Sequence, residues 1–175
     1  WNQVHNLTAI RNPADMRVQH LLDCLAVVVP LRRIAGTGPA RVLDVGSGAG
    51  LPGVVLAIAA PELQITCVDA VAKKAAFVTQ VAAELALKNL RSEHARAEQL
   101  RLPPFDLITS RALGSLRDLV RLTRRLLKPG GAWMAMKGIH PTEEIAELAA
   151  DAEVFHVEPL HIPGQAGERC LVWMR

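Results

Sequence analysis

Residues 42–53 read Val42-Leu43-Asp44-Val45-Gly46-Ser47-Gly48-Ala49-Gly50-Leu51-Pro52-Gly53, and this stretch decides the fold. Its opening, apolar except for Asp44, reads as a buried strand. Glycine then recurs at 46, 48 and 50. Without a Cβ the backbone can turn sharply and approach a ligand closely. Pro52 suits the first turn of a helix, where its missing N–H costs nothing. The predicted unit is a strand, a glycine loop and a helix N-terminus whose free N–H groups face a ligand.

The rest of the chain repeats the strand–helix alternation. Pro13-Ala14-Asp15 starts a helix expected to run to about Val29, with Met16, Leu21, Leu22, Leu25 and Val28 on its buried side. Strands are expected at Arg41–Val45, Gln64–Asp69, Ser92–Ala95, Phe105–Ser110, Ala132–Lys137, Val154–Leu160 and Cys170–Met174. Helices are expected at Pro52–Ala60, Val71–Leu87, Ser115–Leu127 and Pro141–Ala150, with Lys128-Pro129-Gly130-Gly131 as a stop after the third. Such alternation means a Rossmann-like α/β fold with a mostly parallel seven-stranded sheet. The last two strands lack an intervening helix, so the final one should be antiparallel. Ligands on such sheets bind at the carboxyl ends of strands near the switch in strand order.

The 175 residues suit one domain, with a helical segment over about residues 1–30 packed on it. The longest apolar run, Ala26 to Leu31, is too short to span a membrane and is broken by Pro30. No signal-peptide pattern is visible, and the chain opens at Trp1 without Met, so a truncated N-terminus is expected. Cys24, Cys67 and Cys170 are far apart and show no metal spacing, so they read as reduced packing residues, with no metal expected. Charge is uneven: residues 1–137 hold 18 Lys/Arg against 10 Asp/Glu, and residues 138–175 hold 2 against 7. A basic body suits a polyanionic partner, and a solvated surface fits as well.

The loop admits two registers. Gly48-x-Gly50-x-x-Gly53, with Asp69 nineteen residues beyond Gly50, fits a dinucleotide fingerprint. Asp44-x-Gly46-x-Gly48-x-Gly50 resembles the first motif of S-adenosylmethionine (AdoMet) methyltransferases, and this register is favoured in its strand context. Asp69 ends the second strand and can accept ribose hydroxyls, or simply start the next helix. Ala97 and Glu98 follow the third strand, where an adenine would lie, and spacing alone fits a plain helix start equally well. Asp44 either ties the loop backbone or meets the methionine ammonium. Arg111, in Ser110-Arg111-Ala112, faces the position of the reacting methyl, and its plain structural alternative is a surface ion pair such as one with Asp118. Lys137 and Arg169 end or begin strands at the same edge, as phosphate contacts or as solvated charges. Leu102-Pro103-Pro104-Phe105 mimics an amino-methylation motif but precedes its strand and reads as a loop. His20, His94, His140, His156 and His161 show no ligand spacing, and His5 lies in a loop-like stretch.

Taken together, Trp1-Asn2-x-x-x-Asn6-Leu7-Thr8, His20-Leu21-Leu22-Asp23, the 44–53 loop, Ser110-Arg111-Ala112, Leu127-Lys128-Pro129-Gly130-Gly131, Lys137-Gly138 and Gly167-Glu168-Arg169 resemble the bacterial 16S ribosomal RNA guanine-N7 methyltransferases, once called glucose-inhibited division protein B. The resemblance spans the chain. It implies a class I methyltransferase fold and AdoMet as cofactor, with Gly46, Leu51, Ala97, Glu98 and Arg111 touching it, joined by Gly48, Gly50 and Asp69 from the loop reading. It implies 16S rRNA or the small ribosomal subunit as partner; from their positions at strand ends, Arg111 is the catalytic candidate and Lys137 and Arg169 are candidate substrate contacts. A cytoplasmic monomer without metal or membrane attachment is expected. Gln19 departs from the family's usual Arg, Cys24 from its usual Ser, and the family's opening helix is absent ahead of Trp1.

Guanine N7 is an unprotonated lone pair at neutral pH, so this chemistry needs placement rather than a general base. Arg111 bonding to N7 would block the nucleophile, which leaves O6, a phosphate or the cofactor carboxylate as its partner. The N7 edge is hidden in A-form RNA, so the target should be unpaired or extruded. Methylation of a small molecule or protein, a nicotinamide-dependent oxidation and non-enzymatic RNA binding are the competing functions.

Overall fold

The computed structural model describes residues 7, 8, 10, 12–111, 113–148, 150–165 and 167–175. The Trp1 to Asn6 part of the opening motif, His5 and Ala112 lie outside these. Seven strands, β1 (Arg41–Val45), β2 (Gln64–Asp69), β3 (Leu90–His94), β4 (Phe105–Ser110), β5 (Leu127–Lys137), β6 (Val154–Pro159) and β7 (Cys170–Met174), form one sheet in the order β3-β2-β1-β4-β5-β7-β6. All neighbours pair in parallel except β7, which runs antiparallel to both β5 and β6. The order reverses between β1 and β4, the switch point expected to open a crevice at the carboxyl ends.

Alternation along the strands sorts the core into two layers. Val42 of β1, with Leu171 and Trp173 of β7, faces one side, packed with Leu56 and Ala57 of α2 (Gly53–Ala59) and Val78 of α3 (Ala72–Glu84). Val27, Val28 and Leu31 join this layer, the last two from α1 (Val28–Ala35). Leu43, Val45, Val172 and Met174 face the other side, against Leu116, Leu119 and Val120 of α4 (Leu116–Thr123) and Leu148 of α5 (Thr142–Leu148). Buried indoles are satisfied: Trp133 Nε1 donates to Thr123 Oγ1 at 2.8 Å and Trp173 Nε1 to Glu158 Oε1 at 3.0 Å. Among the described residues no helix is long and apolar enough to cross a membrane.

Two expectations are corrected. The N-terminal helix is not a regular run to Val29. It comprises an α-helical turn Pro13–Met16, a π-helical stretch Arg17–Leu22 and a short Asp23–Leu25 piece, then a turn, after which α1 continues to Ala35. Pro30 does not end it, because it occupies the first turn of α1, where no N–H is needed. Its inward residues are His20, Asp23 and Cys24, whereas Leu21, Leu22 and Leu25 are 48%, 36% and 46% exposed. The wide π turn shifts the face, since the Asp23 N–H reaches back to Val18 O. Lys128-Pro129-Gly130-Gly131 does follow the helix's end, but it lies within β5 as a bulge: Leu127 lies opposite Phe105 and Ala132 opposite Leu107, with Gly130 at φ +79° and Lys128 Nζ 2.7 Å from Asp106 Oδ1.

The glycine loop is fastened from below. Gly46 and Ser47 donate to Val68 O at 2.9 and 3.2 Å, which lays the loop across the end of β2. Helix α2 then descends so closely that a Cβ on Gly53 would lie 2.3 Å from Cys67 Sγ and 2.9 Å from Asp44 Oδ2. Neither neighbour can retreat, because both are fully buried. Gly53→Ala should therefore cost roughly 2 kcal/mol or more through overpacking, read as a lowered urea midpoint; an unchanged midpoint would show that α2 rides freely on the sheet.

Candidate active site

The carboxyl ends of β1, β2 and β3 open on a cleft of about 370 Å³. Val45, Val68, Ala97, Leu113 and Leu122 give it apolar walls, and Asp69 and Glu98 bring carboxylates to it. Gly46 lines it with φ of +66°, and a Cβ there would meet Leu113 Cδ1 at 3.4 Å. A side chain on Gly46 would be strained and would narrow the hollow. A flat apolar slot with acceptors at one end suits a nucleoside: base between the walls, ribose hydroxyls at the carboxylates. AdoMet, with its adenosine, fits these residues.

Asp69 has both structural and ligand-facing capacity. Its Oδ2 accepts from the Gly48 N–H and its Oδ1 from the Val71 N–H, each at 2.9 Å. A carboxylate offers about four lone-pair sites, so each oxygen keeps one for a ribose hydroxyl. The bond to the Val71 N–H, one residue before α3, leaves this capacity for a ribose open. Gly48 does not line the cleft; its N–H is bound to Asp69, which does. Gly50 does not line the cleft: it is buried beneath α2 and α3, where a Cβ would fall 2.5 Å from Val54 Cγ2. Leu51 is half-buried and also lies off the cleft wall. Ala97 and Glu98 sit in a single turn, Ala97–Gln99, which Arg125 Nη2 pins by donating to Ala97 O at 3.1 Å. Sequence reading missed Arg125, and no local pattern marks it.

Asp44 belongs to the loop's foundation. Its side chain is fully buried, Oδ2 accepts from the Gly53 N–H at 2.9 Å, and Oδ1 has no partner. Burial raises its carboxyl to about 7, opposed by the Gly53 bond. The cysteines are packing residues. Burial pushes the Cys24 thiol up to about 12 and raises Cys67 well above the ordinary range. Among the described residues no group of three or more His, Cys, Asp or Glu is placed to hold a metal ion.

Arg111 follows β4 and shares a small hollow with Lys137, and Leu113 walls both this hollow and the cleft. Its surface pairing with Asp118 does not form. Asp118 is held in a capping box at the start of α4, where it accepts from the Ser115 hydroxyl at 2.9 Å. Arg111 Nη1 instead lies 3.6 Å from Asp23 Oδ2 and 3.2 Å from His20 Nδ1, and donates to Gln19 O at 3.2 Å. Arg169 Nε lies 3.3 Å from the other Asp23 oxygen. Burial, then Arg111, lowers the His20 imidazole, which favours its neutral form. Lys137 is not a solvated charge: Nζ binds Glu144 of α5 at 2.8 and 3.0 Å. Sequence reading missed His20 and Asp23 as partners of the arginines, although His20-Leu21-Leu22-Asp23 was among the family marks.

Residues 1–172 match the family described as "GidB: rRNA small subunit methyltransferase G". The chain is 65% identical over 175 residues to "Ribosomal RNA small subunit methyltransferase G" of Leptothrix cholodnii, covering 100% of this chain and 80% of that one. It is 58% identical to the protein of the same name from Methylibium petroleiphilum, covering 99% and 79%. The solved glycopeptide N-methyltransferase MtfA, complexed with S-adenosyl-L-homocysteine, superposes with a TM-score of 0.70 at 13% identity, covering 85% of this chain and 88% of that one. This last likeness is one of fold.

The Asp44 carboxyl makes stability pH-dependent. A carboxyl raised in the folded state holds its proton more tightly folded than unfolded. Its favourable contribution is complete below the ordinary 3.8 and is lost as pH climbs to about 7. Asp44→Asn removes the titration. Its stability relative to the parent should rise by on the order of 2 kcal/mol between pH 5 and 7 in urea melts. A gap that stays constant would show that Asp44 is ionised throughout.

Proposed function

The chain belongs to the rRNA small subunit methyltransferase G family, and from that membership we infer its chemistry down to the reacting atom. It is an AdoMet-dependent rRNA methyltransferase, and the acceptor is N7 of an unpaired guanine in 16S rRNA. The observation that carries the cofactor assignment is the Gly46-floored cleft with Asp69 and Glu98 at the carboxyl ends of parallel strands.

AdoMet supplies an electrophilic methyl on a sulfonium. Gly46 leaves room for the bound nucleoside, Asp69 accepts from its ribose, and the Ala97-Glu98 turn closes on its base. Leu113 and Leu122 exclude water on one side. Arg111, Lys137 and Arg169 stand at the neighbouring edge as the RNA-facing cations. Since N7 carries a free lone pair, alignment in the bound complex lowers the barrier, and effective molarities from orientation alone can be worth roughly 7 kcal/mol or more. Arg111 acts on O6, a phosphate or the cofactor carboxylate, never on N7 itself. The substrate is the RNA or the small ribosomal subunit carrying it, and the enzyme works in the cytoplasm as a monomer.

Incubating the protein with methyl-labelled AdoMet and 16S rRNA or small subunits, then mapping nucleotides by mass, should reveal one new 7-methylguanine. Methyl on another base or atom would overturn the N7 assignment. Asp69→Ala should weaken AdoMet binding at least tenfold by calorimetry, since each charge-assisted bond is worth about 1.5–3 kcal/mol. Arg111→Ala should abolish methylation while AdoMet binding stays normal, and lost AdoMet affinity would move Arg111 to the cofactor site.

A further inference from the structure

Around residues 20–25 the N-terminal helical segment turns two polar side chains, His20 and Asp23, inward beside the buried Cys24. Leu21, Leu22 and Leu25 are exposed, while Asp23, with a side chain only 5% exposed, is buried one turn from His20. A buried carboxylate is costly unless paired. This one is paired twice, by cations from two separate places in the chain. Asp23 Oδ2 lies 3.6 Å from Arg111 Nη1 and Oδ1 lies 3.3 Å from Arg169 Nε, with no hydrogen bond completed at Oδ1. Cys24, Val27, Val28 and Leu31 already bury the apolar part of the segment. What the buried Asp23 adds to that docking is its hold on the two guanidiniums.

Those guanidiniums belong to adjoining cavities. Arg111 lines the hollow that holds Lys137, and Arg169 lines a cavity of about 390 Å³ with Gly138 and His140. Each remains about a quarter to a third exposed. One carboxylate between two guanidiniums leaves a net single positive charge, and Arg169 is further fixed by Nη1 donating to Glu168 O at 2.8 Å. That matches the charge of a single phosphodiester.

We propose that Asp23 is a positioning residue for the RNA: it holds Arg111 and Arg169 as one paired site for a backbone phosphate beside the target nucleotide. This rests on the rRNA methylation proposed above. His20 serves the same end from the other side, with its Nδ1 at Arg111 and its Nε2 2.8 Å from Thr8 Oγ1.

The sign of one substitution separates this role from its alternatives. Asp23→Asn keeps the shape and removes the charge. If Asp23 positions the arginines, KM for RNA rises at least tenfold, kcat stays within about twofold, and AdoMet affinity is unchanged. If Asp23 merely dilutes the positive field, removing it tightens RNA binding, which overturns the proposal. If it only docks the helix, fewer molecules are active, so kcat falls at constant KM, which also overturns it. Should Asp23→Asn fail to fold, Arg169→Lys keeps the charge without the fork: a raised RNA KM supports the pair, and an unmoved one removes it. A parent protein that binds AdoMet but methylates no rRNA sinks the proposed reaction itself, and the control without any substitution reports that separately.

Discussion

The site hangs on the bond between the buried Asp44 carboxylate and the Gly53 N–H, 2.9 Å long and shielded from water on all sides. It joins the strand before the glycine loop to the helix after it, so both ends of the loop are fixed to one carboxylate. The absence of a Cβ on Gly53 lets α2 come close enough for that bond, against Cys67 Sγ. With its ends held, the loop has one course open to it, across the end of β2, where Gly46 and Ser47 meet Val68 O. The ligand-facing floor at Gly46 is a consequence of packing that no ligand touches.

From this anchor the cleft follows by topology. Strand order reverses between β1 and β4, so the loops after them diverge and leave a crevice. Asp69 at the end of β2 is drawn to the Gly48 N–H, and so the acid and the loop locate one another. The Ala97–Gln99 turn closes the far side, and Arg125 at the end of the α4 region holds that turn by its backbone. The apolar walls come from residues that belong to the general core of one sheet face, among them Val45, Val68 and Ala97.

The parts legible in the sequence are those set by local pattern. The short apolar runs Arg41–Val45, broken only by Asp44, and Cys170–Met174 read as buried strands and are buried on both faces, and the spaced glycines marked the end of the first. The antiparallel last strand followed from the missing helix. What stayed hidden depends on distant partners. A helical wheel puts Leu21, Leu22 and Leu25 inside, yet a π turn and two arginines far along the chain turn His20 and Asp23 inward instead. Asp118 was near enough in sequence to pair with Arg111, but its oxygens are committed to capping α4. Lys137 finds Glu144 across a turn that spacing alone does not align. Gly50 shows the converse, a motif position whose requirement for glycine is packing against Val54 and Val78.

Leu113 is the wall common to the cleft and to the hollow of Arg111 and Lys137. Its backbone N–H is held by Ser110 Oγ at 3.2 Å. One side chain on a short segment after β4 thus separates an apolar cavity from a cationic one. The apolar cavity offers shape and acceptors suited to a nucleoside. The other half gathers three cations, each already bound to a carboxylate: Arg111 and Arg169 to Asp23, and Lys137 to Glu144. Paired cations of this kind are pre-placed and partly neutralised, so they favour a ligand that fits their geometry over any anion that drifts near. Selectivity for one nucleotide in a long polyanion needs that restraint, because unpaired charge would bind every phosphate alike.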